Sequence, residues 1–380
     1  MRYAIVTETW PPEVNGVALT VHDLTQGLQA RGHAVDLVRP RQERGQQAGP
    51  GELLVAGAAL PRYPGLRFGM PATGTVLRRW RAAPPQAVYI ATEGPLGWSA
   101  LRAARRLAIP VASGLHTRFD AYMRDYGLAP LEPLAMAWMR RFHNRADATL
   151  VPTAELAGFL SGRGFRNVVQ LARAVDTTLF DPRRRDPSLR AHWGLAADDL
   201  AAIHVGRIAA EKNLALAVSA FRRLQQRQPR ARFVWVGDGP ERQALARDNP
   251  DFVFCGVQRG EALARHFASG DLFLFPSRSE TFGNVTLEAM ASGVPVVAFD
   301  YGAARTHLRD GVHGAAVDDD DAFEAAVLRL GDDRAARHAM GAAARQAVLR
   351  LSPEQVAADF DALLSGLAAR GARDATASAA

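Results

Sequence analysis

Two glutamates separated by seven residues, Glu280 and Glu288, lie in the segment Pro276–Ala291, PSRSETFGNVTLEAMA. An apolar, strand-like run, Leu272–Phe275, precedes it, and Gly283 marks a turn before a helical pattern over Asn284–Ala291. This spacing predicts Glu280 in the loop and Glu288 about one turn into the helix. The loop can then aim Glu280, with the backbone N–H groups of Phe282, Gly283 and Asn284, at a ligand, while Glu288 sits deeper. A second segment, Gly206-Arg207-Ile208-Ala209-Ala210-Glu211-Lys212-Asn213, follows another strand pattern and opens a helix. It puts two cations, Arg207 and Lys212, at the carboxyl edge of a parallel sheet, where α/β ligand sites form. Cations beside a helix N-terminus suit a diphosphate, at about 1.5–3 kcal/mol for each charge-assisted hydrogen bond. The competing reading is a solvated loop in which Glu211 pairs with Lys212. Lys212 is the chain's one lysine against 45 arginines, which suggests that arginine does not serve there.

The first strand pattern ends in TETWPPEVNG, Thr7–Gly16. A dinucleotide fingerprint would place three glycines after this strand. Only Gly16 is present, which argues against a nicotinamide or flavin enzyme. Gly16 at a helix start permits close approach of a phosphate or sugar, although an ordinary turn explains this segment alone equally well.

The elements that must position these groups alternate as in βαβ units. Strands are expected at Tyr3–Thr7, Ala34–Val38, Val88–Ala91, Val111–Gly114, Ala148–Pro152 and Val168–Leu171, with helices at Val17–Ala30, Leu96–Leu107 and Leu131–Arg145. Thr177–Asp186 is polar around a central proline and is expected to link two domains. A second strand series runs through Ala201–Val205, Phe233–Val236, Phe252–Cys255, Leu272–Phe275, Val294–Phe299 and Ala315–Val317. The expected domains are 1–176 and 187–350, with an amphipathic helix 353–369 returning to the first domain and a disordered tail 371–380. A chain of 380 residues, 48% hydrophobic, suits two α/β domains.

Residues 1–180 hold 21 arginines and 13 acidic residues, a net +8, and the rest of the chain carries −1, giving the overall +7. An anionic partner is expected there. The lone Cys255 cannot form an intramolecular disulfide and fits a reducing compartment. The sequence shows neither a signal-peptide pattern nor an apolar run long enough to span a membrane. The expected location is cytoplasmic, peripheral on the inner face of an anionic membrane through the basic half.

In combination, the Glu280/Glu288 pair, Gly206–Lys212 and Glu288-Ala-Met-Ala-Ser-Gly-Val-Pro-Val-Val297 resemble glycosyltransferase family four. The first-domain segments Pro11-Pro12-x-x-Asn15-Gly16-Val17 and His116-Thr117-Arg118-Phe119 fit it too, and the resemblance runs from Tyr3 to about Leu364. It implies the GT-B fold, two Rossmann-like domains facing across a cleft, and retaining transfer of a hexose from a nucleotide diphosphate sugar, without a metal or other cofactor. It further implies that Arg207 and Lys212 hold the diphosphate, Glu280 the sugar hydroxyls and Glu288 the ribose. The backbone at Phe282, Gly283 and Asn284 would assist. His116 would lie near the transferred sugar and acceptor, with Asn15 and Gly16 at the donor. One departure is Ala174 in Arg173-Ala-Val-Asp176, where the family usually has glycine; a left-handed backbone there would strain alanine.

The segments Glu8–Gly16, His116–Phe119 and Glu280–Asn284 look closest to members that use GDP-mannose or glycosylate diacylglycerol-type lipids. A lipid or saccharide acceptor is therefore expected. A sugar-nucleotide epimerase of the same fold would need a further acid–base carboxylate set. A non-catalytic nucleotide-sugar or membrane binder would not need His116, Glu280, Arg207 and Lys212 together. Nucleic-acid binding lacks an aromatic-interleaved basic motif. Asp318–Asp321 precedes a helix and is expected to cap it rather than hold a metal. Arg102, Arg105 and Arg106 share a helical face near Trp98, either solvated or docked on acidic headgroups.

Overall fold

The computed structural model describes residues 1–13, 16–43, 45–59, 67–116, 132–278 and 282–379. The chain divides into two compact units, Met1–Arg173 together with Pro353–Ala380, and Ala174–Ser352.

In the first unit, β1 (Arg2–Val6), β2 (Ala34–Pro40) and β3 (Glu52–Val55) are followed by a small antiparallel pair, β4 (Gly57–Ala59) and β5 (Arg67–Gly69). Next come β6 (Ala87–Ile90), β7 (Val111–Gly114), β8 (Ala148–Val151) and β9 (Val168–Gln170). A parallel seven-stranded sheet forms in the order β3-β2-β1-β6-β7-β8-β9. Sheets of this kind bury both faces, so their strands read as unbroken apolar runs, as in Ala87–Ile90, where all four residues are buried. β3 to β5 and the helix Thr73–Ala82 were not expected. They are short and closely flanked by glycine and proline, which leaves little periodicity to read.

Helix Pro353–Ala379 closes this unit. Gly27 in helix Gly16–Ala30 meets it so closely that a Cβ there would stand 2.4 Å from that of Ala357. Asp361 accepts from Tyr3 Oη at 3.0 Å and Arg31 Nε at 2.9 Å, and faces His33 Nε2 at 2.9 Å. The helix is continuous through 371–379. The segment holds no proline and is rich in alanine, and its first residue, Gly371, abuts Pro110.

The second unit contains β10 (Ala201–Val205), β11 (Arg232–Val236), β12 (Val253–Gly256), β13 (Leu272–Phe275), β14 (Val296–Phe299) and β15 (Gly314–Val317). Its parallel sheet has the order β12-β11-β10-β13-β14-β15. Numbered within the unit this is 3-2-1-4-5-6, the doubly wound order. Thr177–Asp186, expected between domains, lies inside this unit. Phe180 joins its core, and Arg345 fastens the segment by donating to Phe180 O at 3.0 Å and Asp181 Oδ2 at 2.7 Å. A polar run around a proline resembles a linker locally; its burial is a tertiary property. Ala174 avoids the left-handed region, so glycine is not required there.

Candidate active site

In a doubly wound sheet, the strand order reverses next to the first strand, and the loops leaving the two central strands diverge to form a crevice at their carboxyl ends. In the second unit these strands are β10 and β13. Gly206–Asn213 follows β10, and Phe282–Glu288 lies in the connection after β13. The fold thus brings both second-domain motifs to one edge.

The loops after β10 and β11 are pressed together. Gly206 N donates to Val236 O at 3.0 Å, and Ile208 N to Asp238 O at 2.9 Å. A Cβ on Gly237, at φ +140°, would meet Gly206 O at 1.9 Å, so this approach needs glycine. Ala210–Lys212 forms one 3-10 turn, and left-handed Asn213 turns the chain into helix Leu214–Arg227. Arg207 is exposed and pairs with Glu211 one turn on; Lys212 is half-buried.

After β13, buried Phe282 leads to left-handed Gly283 and helix Asn284–Ala291. Phe282 O accepts from Ala303 N at 2.7 Å, which fixes the entry to the helix. The leading N–H groups of a helix have no partner within it and attract anions. Glu288 is half-buried, and burial pushes its carboxyl up to about 7. Glu280 and Asn15 lie outside the described residues, as does Thr117–Phe119. Gly16 begins helix Gly16–Ala30 and is exposed.

His116 belongs to the first unit, just beyond β7. Arg173 Nη2 lies 2.6 Å from its Nδ1, and Tyr89 Oη 2.8 Å from its Nε2. A guanidinium only donates, so Nδ1 accepts and Nε2 carries the proton. Burial and the Arg173 charge hold His116 well below its usual range, as a neutral ring. Gly114 makes room for the pair: a Cβ there would stand 2.2 Å from Tyr89 Oη and 2.5 Å from His116 Nε2.

Two carboxylates that sequence reasoning did not select share this edge. Glu8 follows β1 and accepts from Leu96 N at 2.9 Å; burial raises its carboxyl to about 7. Glu93 follows β6 and faces His143 Nε2 at 3.0 Å, while His143 Nδ1 faces Ser113 Oγ at 2.8 Å. The available signal was position alone, since β1 and β6 are the reversal strands of this sheet. Asp319 caps helix Asp320–Asp332 by accepting from Ala322 N at 2.8 Å, and Asp320 pairs with Arg278 at 2.6 Å. Among the described residues no group of three or more His, Cys, Asp or Glu is arranged to hold a metal.

Residues 14–179 match the family model for Glycosyltransferase Family 4, and residues 200–333 that for Glycosyl transferases group 1. The GDP-mannose-dependent alpha-mannosyltransferase of Mycolicibacterium smegmatis is 36% identical over 361 residues, 92% of this chain and 93% of that protein. The chain belongs to glycosyltransferase family four. A second relative, the GDP-mannose-dependent alpha-(1-6)-phosphatidylinositol dimannoside mannosyltransferase of Mycobacterium tuberculosis, is 30% identical over 97% of each chain. Sucrose-phosphate synthase from Thermosynechococcus elongatus shares the GT-B fold, with TM-score 0.78 at 19% identity, covering 97% of this chain and 99% of that one. This family-four chain is a retaining hexosyltransferase.

Proposed function

We propose that the protein transfers mannose from GDP-mannose, with retention, to a lipid or saccharide acceptor. The observation that carries this is the convergence of Gly206–Lys212 and Phe282–Glu288 on the reversal strands of the second sheet, in a chain whose relatives use GDP-mannose. Arg207 and Lys212 neutralise the diphosphate as the glycosidic bond breaks, when charge on the leaving group is greatest. The N–H groups at Gly283 and Asn284 take phosphate or sugar oxygens, Glu288 accepts from the ribose, and Glu280 from the hexose hydroxyls. Asn15 and Gly16 are assigned to donor binding. Fixed cations do the work that a divalent ion does elsewhere, so activity should survive a chelator.

His116 is assigned to the transferred sugar. With a cation on Nδ1 and its Nε2 proton directed at Tyr89 Oη, the ring stays neutral and does not serve as a base. No helix among the described residues is long and apolar enough to cross a membrane; the basic first unit attaches peripherally to an anionic surface.

A thermal-shift screen of nucleotide sugars tests the donor. GDP-mannose should stabilise the protein more than UDP-glucose, and the opposite ranking would reject the reading. Glu280→Gln should then lower turnover about a hundredfold while GDP still binds. Equal weakening of GDP and GDP-mannose would remove Glu280 from the sugar.

A further inference from the structure

Arg102, Arg105, Arg106, Arg141 and Arg145 line a pocket of about 730 Å³ on the first unit, with Trp98 and Trp138 in its wall. Helices Pro95–Arg106 and Glu132–His143, with the turn after the second, supply all seven. The guanidinium carbons of Arg102 and Arg145 stand 5.9 and 5.7 Å from the Trp98 ring, and the two tryptophans lie 5.0 Å apart. The described contacts of the five guanidiniums with polar protein atoms are to backbone carbonyls: Arg105 with Arg145 O at 3.1 Å and Arg145 with Arg141 O at 3.0 Å.

None of the five is in an ion pair among the described residues, whereas Arg31, Arg39 and Arg79 of the same unit each hold a carboxylate. Arg105, Arg106 and Arg141 lie in last helical turns, where the helix dipole favours cations. That accounts for their sign but not for the apolar rim. Trp138 is 53% exposed and Leu134, one turn earlier, is 71% exposed. Five unneutralised arginines beside an exposed tryptophan and leucine match a surface that is anionic at its face and apolar just beneath it.

We propose that this pocket binds the headgroup phosphates of anionic lipids at a membrane surface, with Trp138 and Leu134 entering the interfacial layer. This rests on the peripheral-membrane reading above and names the residues responsible.

The test is vesicle co-sedimentation of the full chain at low salt, with phosphatidylglycerol-containing or pure phosphatidylcholine vesicles. Three proteins are compared: wild type, Arg102→Gln/Arg105→Gln/Arg106→Gln, and a control with the same net charge, Arg78→Gln/Arg81→Gln/Arg166→Gln, altered at exposed positions of the same unit. Binding of the pocket variant to anionic vesicles should fall about tenfold or more and that of the control less than about threefold. Trp138→Ala should also bind more weakly. Melting temperature and GDP affinity should match wild type in all three variants, so that loss of fold is not mistaken for loss of the site. Equal losses in pocket and control variants would overturn the pocket in favour of diffuse charge. An unaffected pocket variant would overturn the pocket while leaving membrane attachment intact. Failure of wild type to prefer anionic vesicles would overturn the membrane reading itself. Stabilisation by inorganic phosphate that disappears in the pocket variant, without vesicle binding, would assign the site to a soluble phosphate and overturn the lipid.

Discussion

Arg173 donates to Nδ1 of His116 at 2.6 Å and thereby decides which ring nitrogen carries the proton. The cation makes a second positive charge on the imidazole costly, and burial acts in the same direction. Arg173→Gln keeps a donor and removes the charge, so the His116 midpoint should move upward. NMR titration of the ring protons checks this; an unchanged or lower midpoint would show that Arg173 does not set the protonation state. Nucleotide-sugar affinity should change little, because Arg173 acts on the ring of His116 and not on a binding surface.

Glu288 supplies a pH test with a definite sign. Its carboxyl rises from an ordinary 4.5 to about 7 by burial. A raised carboxylate favours the folded state most below its unfolded value and loses that advantage as pH rises through the folded one. Glu288→Gln should therefore match wild type near pH 4–5 and be the more stable protein near pH 8. Ribose hydroxyls donating to this group favour its charged form, so nucleotide binding near pH 7 should release a proton. Calorimetry in buffers of different ionisation enthalpy should detect that release in wild type, and a smaller one in the variant. Identical release in both would place the ribose elsewhere.

Lys212 ends a 3-10 turn and precedes a left-handed asparagine that opens a helix. An ammonium is compact enough to enter between diphosphate oxygens there, whereas a guanidinium is longer and planar. Lys212→Arg should lower kcat/KM about tenfold or more, about 1.4 kcal/mol of transition-state stabilisation, and Lys212→Ala further. Wild-type kinetics in Lys212→Arg would mean that charge alone suffices.

Gly237 is where the β10 and β11 loops close on each other. A methyl group would overlap Gly206 O and hold an unfavourable φ. Gly237→Ala should cost about 2 kcal/mol or more of stability and weaken diphosphate binding by displacing Arg207. Thermal unfolding with and without GDP separates the two effects. A variant as stable as wild type would show that the loops can part without penalty.

The sequence by itself determined the alternation of strand and helix, because buried parallel strands are apolar on both faces and surface helices repeat every 3.6 residues. It located Arg207, Lys212 and Glu288 relative to their elements, since each lies within a few residues of an apolar strand or in the helix after it. Tertiary structure alone decided what those elements do together. The His116–Arg173 bond joins positions 57 residues apart, and the Glu93–His143 pair positions 50 apart. Neither spacing matches a helical or strand period; His116 and Arg173 meet because parallel strands return their carboxyl ends to one edge, and Glu93 meets His143 because the last turn of helix Glu132–His143 packs against the loop after β6. The arginine pocket has the same origin: Arg102 and Arg145 share an anion site only because two separate helices end side by side. Thr177–Asp186 is the converse case, polar enough to suggest a linker yet held in a core by Phe180 and Arg345, because burial depends on what the rest of the chain places around a segment.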